Sequence, residues 1–315
     1  AFTVEEYWTL AAALSPGARG RRFLARLVPS GERRMSRQDV DRIVGELEGA
    51  EYVVKSVTIK EQARKPSPPF TTSTMQQEAF RKLGFSARRT MSVAQQLYEG
   101  VEVAGEGHVA LITYMRTDST RVSHEAQAAA RDFVKARYGE SYLPERPRVY
   151  KSKKGAQDAH EAIRPTRIDR SPESLSGSLG RDQLRLYKLI WSRFMASQME
   201  NALYDATTVD IDAGEGGARR LFRATGQVMK FDGFSVLYTE GRDDDKSERD
   251  QALPPLEAGK RLTLIELVPE EHHTQPPPRF TEATLVRELE KHRIGRPSTY
   301  APIIDTIRKR EYATL

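Results

Sequence analysis

Tyr114, Met115, Arg116, Thr117, Asp118 and Ser119 follow one another in a stretch whose residue types suit work on a phosphodiester. In an extended backbone, residues two apart share a face, so Tyr114 and Arg116 are expected to point the same way. A phenol titrates near pH 10 and is a poor nucleophile at neutral pH. A neighbouring guanidinium favours the phenolate and can hold a phosphate oxygen bidentately. By itself the stretch is a weak signal and more usually marks a tyrosine closing an apolar run in a core, followed by turn-forming or helix-capping Asp118 and Ser119.

Two further segments carry related chemistry. Asp158 to Thr166 (DAHEAIRPT) places His160 and Arg164 four apart, which predicts one helical face until Pro165 ends the turn. An imidazole beside a guanidinium suits a phosphodiester, as donors or as an acid and an anchor; a capped helix end with a surface histidine is the plain alternative. Gly295-Arg296-Pro297-Ser298-Thr299-Tyr300 predicts a helix that starts at the proline. Arg296, Ser298, Thr299 and free N–H groups at such a start form a phosphate site, or simply a well-capped helix.

The elements that must hold these residues can be read from periodicity. Val53 to Ile59 alternates like a strand, and Lys65-Pro66-Ser67-Pro68-Pro69 breaks regular structure. Ser73 and Gln76 have the spacing of a capping box for a helix ending at Gly84. A second helix starts at Ser86, and the pair resembles a helix-turn-helix. Its Arg88 and Arg89 oppose the helix dipole, as ligand-binding arginines would, though solvated arginines on a plain hairpin fit as well. His108 to Tyr114 reads as a strand, Glu125 to Tyr138 and Gln183 to Met199 as amphipathic helices. Ala206 to Ile211, Arg220 to Thr225 and Leu262 to Leu267 read as strands, and Gly241 to Asp250 as a charged loop. After Gln275-Pro276-Pro277-Pro278, a helix runs from Thr281 to Lys291 and another begins near Pro297. The fold class expected is α+β and multidomain: residues 1–72 and 201–278 build a β-rich domain, 73–200 form a helical domain inserted in it, and 279–315 start a second helical domain.

Charge narrows the partners. The 315 residues carry a net +6, yet residues 73–200 hold 21 Lys and Arg against 15 Asp and Glu, while the rest holds 29 of each. All the excess lies in the helical insert, as expected if that insert meets phosphates. The absence of cysteine excludes disulfides and thiolate metal sites within the 315 residues, and His272-His273 is an isolated pair. A reducing cytoplasm fits. No apolar run approaches the roughly 20 residues that span a bilayer.

Gly107 to Ser123 (GHVALITYMRTDSTRVS), Ala159 to Thr166 (AHEAIRPT) and Arg279 to Ala301 (RFTEATLVRELEKHRIGRPSTYA) together resemble the type IA DNA topoisomerases, bacterial topoisomerase I in particular. So do Pro69 to Gly84, Phe231 to Phe234, and the opening from Phe2 to Trp8. The resemblance implies that Tyr114 is the cleavage nucleophile, forming a 5′-phosphotyrosyl bond. It implies that Arg116 stabilises the scissile phosphate, that His160 lies near it, and that Arg296, Ser298 and Thr299 border a DNA groove. Arg164 lies in a matching motif; Asp118, Arg88 and Arg89 complete the expected DNA-binding set. It further implies a β-rich arch, a tyrosine-bearing helical domain that swings as a gate, relaxation of negative supercoils without ATP, and a monomer acting on single-stranded DNA at the nucleoid. Mg²⁺ in that family is bound by an N-terminal Toprim domain, expected to lie outside these residues, so the chain is expected to be a fragment that binds DNA without relaxing it. Reverse gyrase shares the same core, and a non-enzymatic helix-turn-helix protein would explain the charge of 73–200. Tyrosine recombinases and type IB topoisomerases place their tyrosine after an H-x-x-R motif, whereas here Tyr114 precedes an H-x-x-x-R spacing.

Overall fold

The computed structural model describes residues 2–17, 20–31, 33–151, 160–241, 243 and 252–313. Asp158 and Ala159 of the second motif, and most of the charged stretch 241–250, lie outside the described residues. In chain order the elements are β1 (Glu6–Ser15), β2 (Phe23–Leu27), α1 (Arg37–Glu46), β3 (Tyr52–Arg64), α2 (Thr72–Leu83), α3 (Ala87–Glu99), β4 (Val101–Val103), β5 (Gly107–Val109) and α4 (His124–Tyr138). There follow α5 (Arg181–Ser197), β6 (Ala202–Ala213), β7 (Arg220–Phe231), β8 (Arg261–His273), α6 (Glu282–Lys291) and α7 (Tyr300–Lys309). Two compact units share them, one of residues 1–63, 203–231 and 246–278, the other of 64–202, 232–245 and 279–315.

The first unit is an antiparallel barrel with strand order β1-β2-β7-β6-β3-β8. Alternation decides what lies inside: Phe23, Ala25 and Leu27 of β2, Val209, Ile211 and Ala213 of β6, and Phe222 and Ala224 of β7 all enter one core. The barrel closes where β1 meets β8, pairing Glu6 with His273 at one end and Ser15 with Thr263 at the other, with a bulge between Ala13 and Leu14. Val40, Ile43 and Leu47 join this core from α1 and its C-cap.

The second unit is mainly helical and is centred on α5, whose Leu186, Tyr187, Ile190 and Phe194 are fully buried. Residues 232–241 and 279–313 pack with this unit. The expectation had put the former in the β-rich domain and the latter in a domain of its own. The box that starts α2 is also displaced by two residues. Thr71 is the cap: its N–H donates to Thr74 Oγ1 at 2.9 Å, and its own Oγ1 accepts from Thr74 N–H. Ser73 instead donates to Glu290 of α6 at 2.7 Å. Gly84 then ends α2 in the left-handed region, at φ 68°, where a Cβ would be strained. Among the described residues no helix is long and apolar enough to cross a membrane.

Candidate active site

Residues 111–119 cross the helical unit as irregular chain with bends at Thr113, Met115 and Arg116, so that the strand expected over His108 to Tyr114 stops at Val109, and they are held from both sides. On one side, Thr113 N–H donates to the Arg164 carbonyl at 2.9 Å and Arg164 N–H to Thr113 Oγ1 at 3.0 Å. Thr113 Oγ1 donates to the Ala162 carbonyl at 2.7 Å, and Ile112 forms a bridge with Pro165. On the other side, the buried hydroxyl of Thr72, the first residue of α2, donates to the Met115 carbonyl at 2.7 Å and accepts from Thr117 N–H at 2.9 Å. Met115, Thr117 and Ser119 are buried between these supports. Tyr114, Arg116 and Asp118 alternate with them and line one cavity, so Tyr114 and Arg116 point the same way although the backbone is bent rather than extended.

That face opens into a cavity of about 410 Å³, which Tyr114, Arg116 and Asp118 line together with His160, Arg296, Pro297 and Ser298. Tyr114 is 40 % exposed, so its hydroxyl can meet an incoming group. Its ring is held edge-on by two others: Tyr98 of α3 at 5.3 Å between centroids and His160 at 6.0 Å. Arg116 is exposed and, among the described residues, makes no ion pair or hydrogen bond through its side chain. A guanidinium left without a carboxylate beside an accessible phenol is a ready anion clamp. Arg296 spends one N–H on the Gly295 carbonyl. Gly295 sits at φ 81°, a turn that delivers Arg296 to the cavity and that any side chain would strain.

Several sequence expectations change here. Residues 160–166 are not helical. Ala162 and Ile163 donate their N–H groups to the Arg121 and Phe70 carbonyls at 2.8 Å each, so the chain is an extended tie rather than a turn of helix. Arg164 consequently faces a different cavity, of about 460 Å³, where its guanidinium is bonded to Glu161 at 2.7 Å and 2.9 Å. Its contribution to Tyr114 is made through its backbone. Pro297 does not open a helix either. Residues 297–299 form a turn, and the N–H groups of Thr299 and Tyr300 both donate to the Arg296 carbonyl. Thr299 Oγ1 accepts from Arg296 N–H at 2.7 Å. With those donors occupied, and Pro302 having none, the helix start offers few free N–H groups. The phosphate-binding capacity lies in the side chains of Arg296 and Ser298.

Arg88 and Arg89 sit in the first turn of α3 as expected, but both have acidic partners. Arg89 pairs with Asp182 at 2.5 Å and lies over the Phe85 ring, while Arg88 meets Asp305 at 3.3 Å. Buried Glu282 of α6 accepts from Ala87 N–H at 2.7 Å, which offsets the unfavourable dipole those arginines meet. Sequence reasoning did not single out Tyr98, Thr72, Thr113 or Glu282. Their roles arise from tertiary contacts 43 or more residues away or from ring packing that local spacing does not encode. In the barrel unit, register gathers the ligand atoms of Glu6, Glu271 and His273 within 4.8 Å of one another, all exposed, a grouping that the spacing of His272 and His273 does not show.

With this geometry in view, the relatives are informative. The profile of a family described as DNA topoisomerase matches residues 1–315, and the chain belongs to that family. It is also similar to the solved structure of full-length topoisomerase I from Thermotoga maritima, at 36% sequence identity and a TM-score of 0.81. The similarity covers 99% of this chain and 48% of that one, so the chain spans about half the length of that relative.

Proposed function

We propose that this chain is the strand-cleaving and gate-forming part of a type IA DNA topoisomerase, with Tyr114 as its nucleophile. The observation that carries the reading is the shared cavity: an accessible phenol, a guanidinium with no acidic partner among the described residues, an imidazole and a second arginine all face one space. In the reaction the Tyr114 oxygen forms a bond to phosphorus and the bond from phosphorus to the 3′ oxygen breaks. The phenol gives up its proton and the departing 3′ oxygen gains one. The phosphodiester's energy is kept in the 5′-phosphotyrosyl bond, so religation is the reverse step and needs no ATP. Arg116 holds the non-bridging oxygens where charge builds, and His160 and Tyr98 fix the ring's direction of attack. Asp118, Arg296 and Ser298 border the path of a single strand.

The divalent ion of the resembling family does not fit the donors at this cavity. Asp118 is the one carboxylate lining it, beside Arg116 and Arg296, and two such cations oppose a third. The Mg²⁺ would be held by acidic residues outside these 315, and no step above passes through it. On this reading residues 1–315 alone bind single-stranded DNA but do not relax supercoils. The complete enzyme does so as a monomer at the nucleoid.

The test mixes full-length protein with end-labelled single-stranded DNA and looks for protein-linked label after denaturation. Tyr114→Phe is expected to abolish the adduct and the relaxation activity. Arg116→Ala keeps the nucleophile and is expected to cost roughly 2.7–4 kcal/mol in the cleavage step, the range seen for a lost oxyanion donor. His160→Ala is expected to cost less. A Tyr114→Phe protein that still traps DNA covalently would place the nucleophile elsewhere and end this reading.

A further inference from the structure

In the barrel unit, one end of the β1–β8 seam gathers three metal-ligating side chains. Glu6 of β1 lies directly opposite His273 of β8, and Trp8 opposite Glu271. Residues two apart along a strand share a face, so register sets Glu6, His273 and Glu271 side by side, on the face from which Trp8 and Leu10 enter the barrel core. Their ligand atoms all lie within 4.8 Å of one another, and His273 Nε2 is 3.6 Å from Glu271 Oε1. All three residues are exposed, so an ion and its water can reach them.

Two observations point to a cation here. The first is charge. Two carboxylates this close repel each other unless a cation lies between them, yet among the described residues neither Glu6 nor Glu271 meets a Lys or Arg. Their neighbours do: Glu5 pairs with Arg34 at 2.7 Å and Glu266 with Arg22 at 3.5 Å. The second is orientation. Trp8, only 9 % exposed, donates its indole N–H to Glu6 Oε1 at 2.7 Å, which fixes that carboxylate and leaves Oε2 without a protein partner among the described residues. A donor that holds a carboxylate by one oxygen is the support that metal-ligating carboxylates commonly have. Zinc takes its oxygen and nitrogen donors at about 2.0–2.2 Å, so closing on an ion asks these atoms to move by about 1 Å or less.

We propose that Glu6, Glu271 and His273 form a site for a zinc-class divalent ion, which staples the seam where the barrel closes. Glu6 supplies Oε2, Glu271 a carboxylate oxygen and His273 Nε2, with water in the fourth position. The imidazole decides the class: it suits zinc and the neighbouring transition ions, whereas Mg²⁺ takes oxygen donors and gives up its waters reluctantly. The ligands come from two strands that only the folded barrel brings together. The ion therefore binds the folded state and stabilises it by mass action. The site shares no residue with the cavity that holds Tyr114, and the proposal does not rest on the reading of that residue.

The experiment titrates Zn²⁺ calorimetrically into metal-stripped full-length protein and compares the wild type with Glu6→Gln and His273→Gln, both changes at exposed positions. Zinc bound anywhere else is common to all three proteins and cancels in the comparison. The wild type is expected to take up one equivalent more than either variant, and a roughly tenfold excess of Mg²⁺ is expected to leave that equivalent in place. With Zn²⁺ about a hundredfold above the dissociation constant of the extra site, the folded-to-unfolded ratio is expected to rise roughly a hundredfold more in the wild type than in the variants, read from the denaturant midpoint. Equal zinc uptake by the wild type and His273→Gln would overturn the site. Displacement of the ion by Mg²⁺ would do the same, since it marks two carboxylates that hold any cation. Uptake without the shift in midpoint would overturn the staple, because an ion that bridges both strands must favour the folded barrel.

Discussion

At the residue scale, the arrangement around Tyr114 depends on ring packing that has a measurable value. Edge-to-face aromatic pairs contribute about 0.5–1.5 kcal/mol beyond buried area, and Tyr98 holds Tyr114 in such a pair at 5.3 Å. Tyr98→Ala is therefore expected to slow adduct formation by roughly two- to tenfold, and Tyr98→Phe to restore it, since the ring and not the hydroxyl makes the contact. An equal loss in both variants would point to the hydroxyl instead. The part of the site legible in the sequence was the two-residue spacing that brings Tyr114 and Arg116 into one cavity; that Asp118 joins them was not read from it. The pairing of His160 with Arg164 was misread because a four-residue spacing says nothing about whether backbone donors point along a helix or across to Arg121 and Phe70. Arg296 and Ser298 line the Tyr114 cavity with their side chains, while the backbone N–H groups of the turn, which their motif offers as an anion site, are occupied.

At the element scale, the helices α4, α5 and α6 were readable to within two residues, because packing onto a core and local capping signals agree there. The cap of α2 was not, since Ser73 and Thr71 are equally good capping residues and tertiary partners choose between them. Thr72 ties α2 to the cleavage segment through a hydroxyl that both donates and accepts. Thr72→Val keeps the shape and removes both bonds, leaving Thr117 N–H buried without that partner. The expected loss is about 1–3 kcal/mol of stability, read as a lower denaturant midpoint, together with slower adduct formation as residues 114–116 loosen. The proline-rich boundaries also differ from one another. Pro66 and Pro69 are buried, and Arg193 donates to the Pro68 carbonyl at 2.6 Å, whereas residues 275–280 are exposed throughout. Limited digestion with a nonspecific protease is expected to cut within 275–280 and spare 65–69. Early cleavage at 65–69 would contradict this.

At the scale of the whole molecule, the alternation of β-rich and helical stretches was legible, but barrel closure was not, because no local signal says that residues 6–15 pair with 263–273. The barrel also buries one group at a cost. Tyr52 is 1 % exposed and its hydroxyl has no hydrogen-bond partner among the described residues. Burial pushes its phenol up to about 12. A group raised on folding contributes stability that is fully present below its unfolded value, near 10, and is lost as pH rises through the folded one. The barrel is thus expected to weaken between about pH 10 and 12, and Tyr52→Phe to remove this group's share of that loss and gain roughly 1–2 kcal/mol at neutral pH by deleting an unpaired hydroxyl. Thermal melts across that range check both. The seam between β1 and β8 has a further consequence, for the order in which the chain is made. A ribosome delivers β1 first and β8 some 250 residues later, on the order of tens of seconds at usual elongation rates. For that interval the apolar strand from Trp8 to Leu14 lacks the partner that closes the barrel, while the residues of α2 to α5 have already emerged and can collapse on their own. Nascent chains halted before residue 261 should therefore hold a protected helical core beside an open, chaperone-seeking first strand.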